Sequence, residues 1–188
     1  NSFSNLFYSK TGCMVHSAYP IWKYIHIKKY RPELAYKAKY LSSQHEYMFE
    51  KLTGDNAVSK TIASGTGFLN INTLEWDNEL LDLAGVSKSQ LSPLKEPTYC
   101  APLCKKAAES LKLPEGIPVV LGGADGALNQ IGAGAVEEGI MTLSIGTSGA
   151  IRMSCSQPTL AEYPSTWCYY LAEGKRIAGA ATSGAGNC

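Results

Sequence analysis

Apolar and polar positions follow two rhythms along this chain. From Ala18 to Lys29, and again from Pro32 to Leu52, apolar residues recur at helical spacing. Trp22 and Ile25 with the pair Lys28-Lys29 fit one amphipathic pattern; Tyr47, Met48, Phe49 and Leu52 crowd another, and Gly54 stops that helix. These aromatics read as core. Trp76-Asp77 begins a further helix that runs through Leu83 to Gly85, Val86 to Leu94 predicts a short helical turn, and Cys104 to Leu111 another short helix. Prolines 93, 97 and 102 punctuate the connector between the last two.

The rhythm then changes. Pro118-Val119-Val120-Leu121 has the length and β-branched content of a buried strand, and an Ala-, Leu- and Ile-rich helix follows. Met141 to Ile145 alternates like a strand, Gly146-Thr147-Ser148-Gly149 turns, and Ala150 to Met153 runs back. Trp167 to Leu171 and Arg176 to Gly179 extend a sheet. Strands and helices in alternation imply an α/β fold.

Two stretches carry chemistry. In Gly122-Gly123-Ala124-Asp125-Gly126 a carboxylate sits where a strand stops and a helix starts, which suits a helix N-cap and equally a ligand-binding group. In Gly146-Thr147-Ser148-Gly149 the glycines permit positive φ, the backbone N–H groups can converge on an anion, and two hydroxyls add donors. Each alone is an ordinary cap or hairpin turn. Together they form half of a phosphoryl-transfer site, Asp125 taking a proton from a hydroxyl and the turn holding phosphates. Ala63 to Asn72 is also rich in Gly, Thr and Ser, but without the Gly-Lys-Ser/Thr ending it is no P-loop.

Composition narrows the partners. At 188 residues, 45% hydrophobic and 18% charged, the chain is long and apolar enough for one large domain or parts of two. A net charge of +1, with Lys28-Lys29 and Lys105-Lys106 the only basic pairs singled out, argues against nucleic acid. No apolar run is long enough to predict a membrane span, and the first residues lack a signal-peptide core. Without a starting Met, the chain reads as an internal piece of a longer one. Cys100 and Cys104 have a spacing that some zinc sites use, but no matching pair follows; the six cysteines read as reduced thiols of a cytoplasmic protein rather than a metal site.

The GGADGALNQIGAGA stretch followed by TLSIGTSGAIR resembles the domain join of the FGGY carbohydrate kinases, and within them the gluconokinase branch. Thr11 to His16, Lys51 to Gly54, Ile62 to Asn70 and Leu74 to Leu81 agree, in the family's order. The resemblance implies a partial actin-like ATPase (ribonuclease-H-like) fold with two domains flanking a nucleotide cleft. Residues 1–138 would be the latter part of the sugar-binding domain, and 139–188 the start of the nucleotide-binding domain, in which Gly179 to Asn187 resembles the glycine-rich lead into its first long helix. It implies ATP and Mg²⁺ as cofactors, with the metal held largely by the nucleotide, and a sugar or sugar acid as substrate. Asp125 would be the general base, Gly146, Thr147, Ser148 and Gly149 the phosphate turn, and His16, Tyr19 and Gly126 substrate contacts. Small residues, Ser17 and Ala18, stand where some sugar kinases carry an aromatic.

Gluconate to 6-phosphogluconate is the first expectation. A xylulose or other pentulose kinase and a non-catalytic actin-like nucleotide-binding scaffold stay open, as does a homodimer. The family's early Asp-x-Gly-Thr turn and later adenosine loop are missing, so the 188 residues alone are expected to be inactive. Arg152 suits a carboxylate clamp, although a residue beyond a phosphate turn more often points elsewhere.

Overall fold

A computed structural model describes residues 2–186. Its first half is helical. Helix α1 (Ser2–Thr11), not anticipated from the sequence, buries Phe7, Tyr8 and Thr11. Helix α2 (Pro20–Tyr30) starts at a proline, whose missing N–H costs nothing in a first turn. The single helix expected from Pro32 to Leu52 is two: α3 (Pro32–Lys37) and α4 (Gln44–Thr53). A local cap and a distant partner break it. Ser43 and Glu46 form a capping box that starts α4 afresh. The intervening backbone bonds elsewhere, Leu41 N–H to the Gln90 carbonyl at 2.8 Å and Ala38 carbonyl to Gln90 Nε2 at 2.9 Å.

Short strands β1 (Val58–Ser59), β2 (Leu69–Asn70) and β3 (Glu75–Trp76) flank helix α5 (Lys60–Ser64). Helix α6 (Asn78–Ala84) is capped by Asp77, whose side chain accepts from Leu80 N–H, and ends at left-handed Gly85. A 3₁₀ turn at Lys88–Gln90 leads to β4 (Leu94–Lys95), parallel to β1. Then come β5 (Cys100–Pro102), α7 (Lys105–Leu111) and β6 (Pro118–Val120), with β5 and β6 antiparallel. The strand expected to be buried is not: Val120 is 59% exposed, and the buried apolar residue here is Leu121, just past its end. Strand β6 has a partner on one side only, so most of its surface is open.

Helix α8 (Asp125–Gly132) leads into a four-stranded antiparallel sheet of β7 (Met141–Ile145), β8 (Gly149–Cys155), β9 (Trp167–Ala172) and β10 (Lys175–Thr182), in the order β7-β8-β10-β9. Fully buried Gln130 of α8 ties helix to sheet, donating to the Ala135 carbonyl at 2.8 Å and to Ser154 Oγ at 3.1 Å. The glycine-rich stretch expected to lead into a helix is strand as far as Thr182, and then bends back so that Ala185 N–H donates to the Thr147 carbonyl at 3.0 Å. Asn187 lies outside the described residues.

The main core gathers Phe7, Ile21, Tyr24, Phe68, Leu69 and Trp76 between α1, α2 and α6. Strand β9 docks onto it: Cys168 N–H donates to the Gly12 carbonyl at 2.9 Å, Tyr170 N–H to Ser64 Oγ at 3.1 Å, and Tyr8 and Thr166 share a hydroxyl bond of 2.7 Å. That docking brings the sheet beside the loop that carries Asp125.

Candidate active site

The Asp125 loop is shaped by a residue far away in sequence. Buried Thr61 of α5 accepts the Ala124 N–H at 2.9 Å, and a Cβ on Gly123 would stand 2.4 Å from the same oxygen. Held there, Ala124 rather than Asp125 becomes the N-cap of α8, with extended backbone and no side-chain cap bond. The cap position expected for Asp125 is thus off by one residue. Asp125 occupies the first turn instead, where its charge suits the positive end of the helix dipole. Its Oδ1 accepts the Gly126 N–H at 2.6 Å, while Oδ2 has no hydrogen-bond partner among the described residues.

Asp125 lines a cavity of about 120 Å³ together with Thr61, Gly126, Arg152, Trp167 and Tyr169. Trp167 and Tyr169, two apart on β9, stack with ring centroids 4.7 Å apart. Tyr169 shares a 2.9 Å hydroxyl bond with Tyr19, which joins that expected substrate contact to the cavity wall. Burial pushes the Tyr19 hydroxyl up to about 12, so both phenols stay protonated and act as neutral hydrogen-bonding groups. Burial likewise pushes the Tyr169 hydroxyl far above its ordinary value. His16 stands apart: it is exposed, lines no part of this cavity, and its Nδ1 accepts the Ala18 N–H at 3.1 Å.

The expected phosphate turn is a three-residue loop closing the β7–β8 hairpin, with Ile145 opposite Gly149 and Gly146 N–H donating to the Ser148 carbonyl at 2.9 Å. Its glycines do not use positive φ. Gly149 serves close approach instead: a Cβ there would stand 2.7 Å from the Ala185 Cβ. Thr147 and Ser148 are exposed, and their hydroxyls bond nothing among the described residues. The turn does not itself line the Asp125 cavity, but strand β8 leaves it and carries Arg152 in.

Thr61, Trp167, Tyr169 and Tyr170 line the cavity and escaped the sequence reading. Thr61 and Tyr169 reach the site through pairings with residues more than 60 positions away, for which no local pattern exists. Among the described residues no group of three His, Cys, Asp or Glu could hold a metal ion. Cys13, Cys100, Cys104, Cys155 and Cys168 are free thiols. Burial pushes Cys13 up to about 12 and Cys168 in the same direction, which leaves both unreactive.

Comparison with known proteins decides the family. The model of the N-terminal domain of the FGGY family of carbohydrate kinases matches residues 2–132. The chain belongs to that family. A gluconokinase from Bacillus licheniformis is 34% identical over 183 residues, 95% of this chain and 35% of the relative. Two structures from Lactobacillus acidophilus, a ligand-bound xylulose kinase and a gluconate kinase, each superpose with a TM-score of 0.95 at 33% identity, covering 99% of this chain and 38% of theirs. The chain therefore spans about a third of the length of the relatives it matches. With these FGGY neighbours the mixed α/β architecture is a partial actin-like ATPase fold. No helix among the described residues is long and apolar enough to cross a membrane.

Proposed function

We propose that the protein carrying this sequence is an ATP-dependent carbohydrate kinase that phosphorylates gluconate to 6-phosphogluconate. One observation carries the reading: Asp125 presents a free carboxylate oxygen beside a cavity, on a loop anchored by Thr61. In this reading Oδ2 takes the proton of the sugar hydroxyl as that oxygen attacks the terminal phosphorus, and ADP is the leaving group. Gly126 lets the sugar approach the backbone, and Tyr19 positions it through Tyr169. His16 belongs to the sugar side, outside the cavity. Thr147, Ser148 and the flanking glycines hold the phosphates. ATP would supply the phosphoryl group, and Mg²⁺, held largely by the nucleotide, would offset its negative charge.

We place residues 1–138 in the sugar-binding domain and 139–188 in the nucleotide-binding domain, the protein in the cytoplasm, and catalysis in the full-length enzyme rather than in these residues alone. The preference for gluconate draws on relatives that are gluconokinases. A pentulose acceptor is the second reading, because a xylulose kinase superposes equally well. ATP consumption by the full-length enzyme with gluconate, xylulose, ribulose, fuculose and glycerol tests both. The highest kcat/KM is expected for gluconate; a xylulose preference selects the second reading. Turnover of none of them leaves a nucleotide-binding scaffold without sugar transfer.

A further inference from the structure

Arg152 is the charged group at this cavity that the reading above leaves without a task. Its side chain reaches from β8 to the first turn of α8, where a Cβ on Gly126 would stand 3.1 Å from Nε and 3.7 Å from Nη2. Nη1 donates to Ser144 Oγ at 2.9 Å. Nε is sealed from solvent, and neither it nor Nη2 has a hydrogen-bond partner among the described residues. Among the described residues no carboxylate pairs with Arg152, and Asp125 turns Oδ1 onto Gly126 N–H. Of the chain's other two arginines, Arg31 pairs with Glu33 at 2.6 Å; Arg176 also buries an unpartnered Nε, but it lies over the Tyr170 ring at 5.2 Å and its Nη1 donates to the Lys175 carbonyl at 3.1 Å.

Asp125 in the same first turn brings one negative charge to the cavity, but makes no ion pair with the guanidinium. A guanidinium lies over the N-terminal end of a helix, where the dipole is positive and an anion belongs. Ser144 contributes a neutral partner and takes one donor of five. A cation, a helix N-terminus and unused donors meet at a cavity of about 120 Å³. One chemical class satisfies all three: an oxyanion with two oxygens for the guanidinium fork. The missing side chain of Gly126 lets the guanidinium come this close to the helix backbone, where a Cβ would crowd Nε.

We propose that Arg152 recognises an oxyanion of the bound substrates at the Asp125 cavity. That oxyanion is either the carboxylate of a sugar acid or the phosphoryl group in transfer. The proposal rests on the kinase reading above and adds a specificity-determining or charge-stabilising residue to it.

The test compares wild type, Arg152→Met and Arg152→Lys in the full-length enzyme. It measures turnover with gluconate and with xylulose, and calorimetric binding of gluconate without ATP and of ATP without sugar. Loss of a charge-assisted bond predicts a fall of about 10- to 100-fold. If the carboxylate is the ligand, Arg152→Met loses gluconate binding and gluconate kcat/KM by that factor and spares xylulose. If the phosphoryl group is the ligand, kcat falls for both acceptors while gluconate binding holds. In either case Arg152→Lys recovers part of the loss.

A folded Arg152→Met with unchanged gluconate binding, ATP binding and turnover overturns the proposal. Should thermal unfolding show that Arg152→Met does not fold, the same readings on Arg152→Lys and Arg152→Gln decide. A wild type that phosphorylates xylulose alone removes gluconate from the function and leaves the phosphoryl assignment to be decided on xylulose. A wild type that binds neither gluconate nor ATP overturns both readings.

Discussion

At the scale of single residues, the proposed reading divides the cavity into groups that would do chemistry and groups that hold them. A sugar hydroxyl is a poor nucleophile until its proton has a destination, and Asp125 Oδ2 is the unengaged carboxylate oxygen at the cavity. Asp125→Asn preserves shape and the bond to Gly126 N–H while removing the base. Turnover of the full-length enzyme is expected to fall about 10²–10⁴-fold, with sugar and ATP binding much less affected. Near-normal turnover by a folded Asp125→Asn would reduce Asp125 to a first-turn charge. Thr147 is exposed and its hydroxyl is unused. Thr147→Val is expected to weaken use of ATP by about 1.5–3 kcal/mol, the worth of one bond to a charged group, and to spare sugar binding. Unchanged KM for ATP and unchanged kcat would remove Thr147 from the site.

At the scale of elements, caps and their partners decide where helices begin. Asp77 shows this best, because it caps α6 and also bonds Asn70 Nδ2 at 2.9 Å and Lys10 Nζ at 3.3 Å. Burial works to raise its carboxyl, but the bonds from Asn70, Leu80 N–H and Lys10 outweigh it and hold the group below its ordinary value. A carboxyl lowered by folding stabilises the fold above its unfolded value, near pH 4, and loses that contribution as pH falls through the lowered folded value. Thermal unfolding of wild type and Asp77→Asn should therefore show a stability gap that is constant above about pH 5 and shrinks toward acid. A gap that widens as pH falls would contradict the assignment.

At the scale of the whole molecule, the site exists because strand β9 docks on the helical half. The tightest point of that seam is Gly12. Its φ is +67°, its carbonyl accepts Cys168 N–H, and an added Cβ would stand 2.1 Å from the Cys168 carbonyl oxygen. Gly12→Ala therefore meets backbone strain and a backbone clash together, and neither partner is a flexible side-chain end. A loss of at least about 2 kcal/mol is expected in the full-length enzyme, read by denaturant unfolding, with kcat falling as Tyr169 and Trp167 shift. Unchanged stability and turnover would show that β9 is not held at this point.

The sequence by itself determined the local grammar. Gly54 and Gly85 ended their helices, Asp77 marked the start of α6, and the Met141 to Met153 hairpin appeared where alternation and a Gly-Thr-Ser-Gly turn called for it. The ordered motifs were enough to indicate the family, because glycines and short polar side chains at fixed offsets carry backbone requirements in their own identity. Tertiary structure decided the rest. Leu41 and Ala38 left the helical pattern for bonds with Gln90, Thr61 fixed the N-cap of α8 at Ala124 and so drew Asp125 into the first turn, and Tyr19 met the cavity only through Tyr169. These are bonds between residues dozens of positions apart, and periodicity reports only which face of its own element a side chain takes.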